Sequence, residues 1–552
     1  MKHRFNKLIT LPRMLVLSAL TATMLSFTVA DNYFEISKHI EIFTSLYREL
    51  NVYYVDETQP GELMKAGIDA MLASLDPYTV YYPESKIEDS RFMTTGQYGG
   101  IGSLIQTIDG EVTISEPYEG YAAAKAGLIA GDIIMLIDGK SIKDKNQEEI
   151  SEILKGQPGT SLEITVKRGD LEPFIVKIER EEVKIPDVPF FGMLDDKTGY
   201  IKLNGFTQTA SSEVRSAFKD LKEKQGMKQL ILDLRGNGGG LLKEAVNIVN
   251  FFVPKGTEIV STKGKIEDWN KTHSALNEPL DGEIPLVVIV DGSSASASEI
   301  VSGALQDLDR AVVIGKETYG KGLVQQTKDL SYNTKLKLTV AKYYIPSGRC
   351  IQRLDYSHKT QNGKAQAVAD SLIKPFKTKN GRDVYDGKGI RPDVEVELAE
   401  ISHILNGLLL NNVLFKYATK FRLNQDSIAS PEEFELSENE YKNFMAFASK
   451  YEFSYDTNTE LLFEELKKVA EEERYLQGAE KDFDALYSKL KPEKETDLLK
   501  FKEEISEFLE NEIVSRYYFQ SGRIRYELDK DKAISKSKEV FNANYQQILA
   551  GK

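Results

Sequence analysis

The apolar run from Ile284 to Val290, followed at once by Asp291-Gly292-Ser293-Ser294-Ala295-Ser296-Ala297-Ser298-Glu299-Ile300, constrains this chain more than any other feature. A run without polar alternation suits a strand buried on both faces, as in a parallel sheet covered by helices. The small residues after it leave a strand end that another backbone can approach closely. Beyond Pro186 strand and helix patterns alternate: Tyr200 to Leu203, Ala210 to Lys224, Gln229 to Leu234, Leu241 to Phe252, Leu286 to Val290, Ser296 to Leu308, Ala311 to Ile314. That alternation predicts a layered α/β core, which Lys335 to Tyr344 and Pro392 to Val396 close with further strands.

A chain of 552 residues is too long for one core. Lys2, Arg4, Lys7 and Arg13 precede an uncharged run from Met14 to Ala30, the pattern of an export signal, with an uncleaved membrane anchor as the alternative. From Tyr33 to about Met93 the period is helical, with Ile36, Ile40, Phe43, Leu46 and Leu50 on one stripe, until Leu75-Asp76-Pro77-Tyr78-Thr79 turns the chain. After about Glu400 helical periodicity returns, with Leu462, Leu466, Val469 and Leu476 on one stripe and Leu498, Phe501, Ile505 and Phe508 on another. The expected organisation is a signal or anchor over 1–30 and a helical segment over 31–95. A β-rich domain over 96–182, the α/β core over 183–400 and a helical domain over 401–552 follow.

A net charge of −14 argues against nucleic-acid binding, which rests on clustered Lys and Arg. The single cysteine, Cys350, excludes an internal disulfide; with export, that points to a bacterial periplasm or envelope.

Between Tyr98 and Glu182 the text changes to short strands with glycine turns and one helix near Gln147 to Lys155. Ala126-Gly127-Leu128-Ile129-Ala130-Gly131-Asp132-Ile133-Ile134, with Ile137-Asp138-Gly139, resembles a PDZ domain. Tyr98-Gly99-Gly100-Ile101-Gly102 resembles that family's carboxylate-binding loop. Successive backbone N–H groups in such a turn cradle a terminal carboxylate, and the strand from Ile101 to Ile105 offers an edge on which a peptide tail can pair.

Three elements of the core carry candidate chemistry. Ser296 sits where a strand end meets a helix start, so unpaired N–H groups, including that of Ala297, are at hand for an oxyanion. Ser296-Ala297-Ser298-Glu299 equally fits a capping box, in which the serine only starts the helix. Asp233-Leu234-Arg235-Gly236-Asn237-Gly238-Gly239-Gly240 lies at another strand end. Its Gly238 and Gly239 can turn an N–H into the site, and it matches no nucleotide-loop pattern. Lys321, between Gly320 and Gly322, is the candidate base. A lysine acts so only when neutral, which needs burial to bring its pKa down from about 10.4; Val313, Ile314, Leu323 and Val324 are expected to supply it. If the segment turned helically, Gln325 would share a face with Lys321 and orient its amine. None of His3, His39, His273, His358 and His403 lies in a triad-like motif, so a serine hydrolase here must use lysine.

Together these motifs resemble the carboxyl-terminal processing peptidases, the tail-specific Ser/Lys proteases of family S41. The resemblance rests on Ser294 to Ile300, on Gly315-Lys316-Glu317-Thr318-Tyr319-Gly320-Lys321-Gly322-Leu323-Val324-Gln325, and on Asp233-Leu234-Arg235. Leu75 to Thr79, Ile345-Pro346-Ser347-Gly348-Arg349 and Gly389-Ile390-Arg391-Pro392-Asp393 extend it. It implies a crotonase/ClpP-like layered α/β core with an inserted PDZ domain, Ser296 as nucleophile, Lys321 as general base and Gln325 as its orienting residue. No metal or organic cofactor is implied. The implied partners are proteins or peptides with exposed C-termini. Membrane association could come through residues 14–30, and an oligomer or adaptor contact through the C-terminal helices. Two departures stand out: Cys350 where serine is common, and Gly238 where proline often sits. Two rival readings are a non-catalytic PDZ adaptor for envelope proteins and an acyl-CoA enzyme with a similar core.

Overall fold

The computed structural model describes residues 33–360, 363–397, 401–453, 455 and 457–551. The expected signal or anchor lies outside them, and among the described residues no helix is long and apolar enough to cross a membrane.

Residues up to Tyr81 form a unit of their own. In it a helix over 33–53 is followed by Pro60–Ala73, with Tyr47 Oη donating to the Pro60 carbonyl at 2.7 Å. The expected turn is an Asx turn: Asp76 Oδ1 accepts the N–H groups of Tyr78 and Thr79, both at 2.8 Å.

The second unit holds everything from Tyr82 onward. At its centre is a sheet in the order Phe190–Met193, Thr198–Lys202, Gln229–Asp233, Leu286–Val290, Val312–Gly315, Val394–Glu395. The first pair is antiparallel and the rest are parallel. Strand side chains alternate between faces, so one face presents Ile201, Leu232, Val288 and Val290 to the helices Ala210–Lys219, Leu242–Asn250 and Ala297–Asp307. The opposite face presents Tyr200, Ile231, Val287, Ile289, Val312 and Ile314 to the helices Lys532–Ala543 and Tyr545–Leu549. Tyr545 fixes this cover, its hydroxyl accepting the Leu286 N–H at 2.9 Å. The end of the chain therefore completes the core of the α/β layer.

A smaller core lies in the strands Ser103–Ile108, Glu111–Pro117, Ile133–Ile137, Ser161–Lys167 and Phe174–Glu179 with the helix Gln147–Leu154. Chain entry and exit, Gln97–Gly100 and Glu181–Lys184, pair with each other antiparallel, as an inserted domain requires. A third core joins His403–Leu410, Val413–Asn424, Glu438–Ala448, Lys494–Lys500 and the long helix Lys502–Leu528. Leu498 and Ile505 of the second predicted stripe are buried there. The first stripe departs from expectation: on Asn458–Glu472 it is Phe463 that is buried, its ring tilted against those of Phe483 and Tyr487, while Leu462, Leu466 and Val469 are exposed.

Candidate active site

Parallel strands bring their following loops out at the same edge. Gln229–Asp233 and Leu286–Val290 are neighbours with Asp233 opposite Ile289, so the glycine turn and the serine cluster meet there. Asn237 stitches them: its carbonyl accepts the Ala295 N–H at 3.0 Å and the Ser298 hydroxyl at 2.9 Å. Ser294 donates to the Leu234 carbonyl at 2.9 Å. Ser294 and Ser298 are thus buried and engaged in joining the two loops. Ser296 is half-buried and opens on a cavity of about 560 Å³ that Lys321, Gln325, Gly238, Gly239 and Ala297 also line. It stands at the N-cap of Ala297–Asp307 with φ 56° and ψ −110°. A side chain at such a φ carries strain of about 1–3 kcal/mol, which persists only where surrounding contacts hold it.

Glu299 supplies that hold. Wholly buried, its carboxylate accepts the N–H of Ser296 at 2.8 Å, the hydroxyl of Thr318 at 2.6 Å, and the N–H groups of Gly320 at 2.7 Å and Lys321 at 2.9 Å. Burial pushes the carboxyl above its ordinary range, against these four bonds, which favour the charged form. One side chain therefore sets the backbone of Ser296 and Lys321 together. Tyr343 does the same from the other side, its hydroxyl donating to the carbonyls of Ser296 at 3.1 Å and Lys321 at 2.6 Å.

The glycines around Lys321 are needed for close approach. A Cβ on Gly320, where φ is +87°, would lie 2.5 Å from Arg353 Cβ, and one on Gly322 would lie 2.9 Å from the Gln352 nitrogen. Lys321 is half-buried; Leu323 and Val324 share its cavity, whereas Val313 and Ile314 lie inside the sheet layer and do not line it. The segment after Lys321 is a strand, Leu323–Asp329, paired antiparallel with Lys335–Tyr344. The helical spacing expected to set Gln325 beside Lys321 does not exist, because the segment pairs along its length with the long partner strand. Gln325 reaches the same cavity from this strand, and its Nε2 donates to Thr339 Oγ1 at 3.2 Å.

In the glycine turn, a Cβ on Gly239 would stand 2.7 Å from the Ala295 carbonyl, 2.8 Å from Ser296 Cβ and 2.9 Å from the Ala297 nitrogen. Gly239 is therefore the floor on which the serine rests. Its own N–H donates to Asn237 Oδ1 at 2.9 Å, a bond that an oxyanion would have to replace. Gly238 faces open space and lines the cavity. The turn is anchored below: Arg235 grips the buried Asp233 through its side chain and its N–H, and pairs with Asp531 at 2.6 Å. Burial opposes the charge on Asp233, but Arg235 and Lys202 outweigh it and hold the carboxyl well below its usual range. Asp531 in turn caps Lys532–Ala543, so the helix covering the sheet is tied to the turn that supports Ser296.

Comparison with known proteins bears on the family of the chain. The Peptidase family S41 model matches residues 197–360, a PDZ domain model matches 113–168, and the model described as "Probable PDZ-protease, C-terminal helical domain" matches 404–541. A carboxy-terminal-processing protease of Bartonella bacilliformis is 37% identical over 340 residues, which cover 61% of this chain and 78% of that protein. The chain belongs to the carboxy-terminal-processing proteases of family S41. A probable CtpA-like serine protease of Staphylococcus aureus is 36% identical over 56% of this chain and 61% of that protein. Among solved structures, the photosystem II D1 C-terminal processing protease is 27% identical and covers 64% of this chain and 92% of that one, with a TM-score of 0.36.

The other family motifs turn out to be braces. Gly389, at φ +76°, packs against the Thr318–Gly320 turn, and the Ile390 N–H donates to Thr318 Oγ1 at 2.7 Å. Arg349 is buried against Asp307 and Gln306, both at 2.8 Å, and Arg382 joins Asp309 to Asp393. In the PDZ domain, Tyr98 and Ile101 line a groove of about 490 Å³ between Ser103–Ile108 and Gln147–Leu154. Gly99 and Gly100 belong to the paired entry strand, and Gly102, at φ +72°, turns against Tyr121. Sequence reasoning assigns Glu299 only a helix-capping role and Tyr343 none. Glu299 was visible as the fourth residue of the capping pattern; Tyr343 had no local signal.

Proposed function

We propose that this protein is an exported serine endopeptidase that holds the C-terminal tail of a protein substrate in its PDZ groove and cleaves upstream with a Ser296/Lys321 dyad. One observation carries the reading: of the serines in the cluster, Ser296 alone lines the cavity that holds Lys321, while Ser294 and Ser298 are buried. Ser296 Oγ attacks the scissile carbonyl and its proton passes to neutral Lys321 Nζ. The Ala297 N–H, at a helix start, and the Gly238 N–H stabilise the oxyanion; Gly239 joins them if the substrate displaces its bond to Asn237. Lys321 gives its proton to the leaving amine, then activates the water that hydrolyses the acyl-enzyme. Gln325 shapes the cavity around the amine. The basic and apolar N-terminus supports export to the envelope, with residues 14–30 as cleaved signal or anchor.

The test is cleavage of an unstructured protein substrate. Wild type should cut it, Ser296→Ala and Lys321→Ala should not, and removal of its last three residues should slow cleavage. An intact substrate with wild type would leave the adaptor reading in place.

A further inference from the structure

The edge of Ser103–Ile108 that faces the PDZ groove is already hydrogen-bonded, and its partner is a side chain. Ser103, Ile105 and Thr107 point their backbone groups toward the groove, because Leu104, Gln106 and their neighbours pair with Glu111–Pro117 on the other side. Gln147, the first residue of the groove helix, donates from Nε2 to the Ile105 carbonyl at 3.1 Å. Its Oε1 accepts the Thr107 N–H at 3.0 Å and the Thr107 hydroxyl at 3.3 Å. A carboxamide so placed reproduces the donor and acceptor of one peptide unit of an added strand. At the other end of the groove the Tyr98 ring lies against Gly100.

We infer that Gln147 is a built-in competitor of the substrate tail, pairing with the recognition strand in its place and selecting for tails long enough to displace it. This rests on the reading of the PDZ groove as the tail site. An antiparallel tail bonds at every second residue, so a carboxylate at the Ser103 N–H sets the terminal residue against Ser103, the third-last against Ile105 and the fifth-last against Thr107. Gln147 contests the bonds of the third-last and fifth-last residues and none of the terminal one. Its side chain is exposed and can swing out. A tail of one or two residues gains nothing from that movement, whereas a longer extended tail replaces both bonds.

The test uses the full chain carrying Ser296→Ala, so that the probe survives. A fluorescein-labelled unstructured decapeptide with three apolar terminal residues and a free carboxylate is titrated by anisotropy, beside the same peptide amidated. Gln147→Ala and Gln147→Met, the second keeping the length without the hydrogen bonds, should each tighten the free-carboxylate decapeptide about tenfold, as expected for two modest bonds no longer to be broken. Competition by an N-acetylated dipeptide should change less than about twofold. Equal decapeptide affinities in wild type and variants, with the amidated peptide weaker, would overturn the competitor while leaving tail recognition intact. Weaker binding in the variants would make Gln147 an ordinary contact and also overturn it. No discrimination between free and amidated peptide in any protein would overturn tail recognition and this inference with it.

Discussion

Gly238 and Gly239 are adjacent, yet alanine at the two positions should have opposite consequences. A methyl group on Gly239 would meet the Ala295 carbonyl, Ser296 Cβ and the Ala297 nitrogen at 2.7, 2.8 and 2.9 Å. All three are backbone or backbone-bound atoms. Ordinary carbon contacts begin at about 3.5 Å, so Ser296 must retreat by about 0.7 Å. The φ of +99° adds strain of about 1–3 kcal/mol for any residue but glycine. Displacement of a reacting atom by about 1 Å costs on the order of a hundredfold in rate, so Gly239→Ala should lower kcat about 30- to 100-fold, or about 2–3 kcal/mol. At Gly238 nothing lies within 4 Å of an added methyl group, and the N–H proposed as oxyanion donor is kept; kcat should stay within about threefold. The assay is steady-state cleavage of a fluorogenic peptide by both variants, with thermal melting to confirm folding. Wild-type kcat in a folded Gly239→Ala, or equal damage from both substitutions, would refute the placement of the glycine turn under Ser296.

Two further outcomes follow from the buried polar groups. Tyr343→Phe removes the hydroxyl shared by the Ser296 and Lys321 carbonyls and should lower kcat about tenfold with KM little changed; a proportionate rise in KM alone would contradict the positioning role. Asp233→Asn breaks a buried pair and should cost about 3–5 kcal/mol of core stability at pH 7. Because the folded-state pKa of Asp233 is depressed, its contribution is present above the ordinary value of about 3.9 and fades as pH falls below it. The gap between variant and wild-type urea midpoints should therefore narrow below about pH 4. A gap independent of pH would contradict the charge pairing.

The sheet was legible because its signal is local: an apolar run such as Leu286–Val290 admits few structures. That Lys532–Ala543 covers the far face was not, since Ile534 and Val540 on an amphipathic helix do not say which surface they bury against. Ser296 and Lys321 could be singled out because small residues and flanking glycines mark places where backbones meet. The role of Glu299 was hidden by its own plausibility as a helix cap: it does accept the Ser296 N–H, but it also reaches across 22 residues to Lys321. Tyr343 joins the site only through strand pairing, and the Arg235–Asp531 pair joins residues nearly 300 positions apart; neither leaves a trace at short range. The helical relation expected between Gln325 and Lys321 failed in a different way, although Gln325 still lines the cavity. Its four-residue spacing from Lys321 suggested a helix where pairing of Leu323–Asp329 with the distant Lys335–Tyr344 makes a strand.

The central claim is that Ser296 is the nucleophile and Lys321 its base. A peptidyl fluorophosphonate reacts with an activated serine, and peptide mapping by mass spectrometry locates the adduct. The account predicts one adduct on Ser296 in wild type, with none on Ser293, Ser294 or Ser298, and its loss in a folded Lys321→Ala variant. An adduct elsewhere, or equal labelling of Ser296 without Lys321, would contradict it.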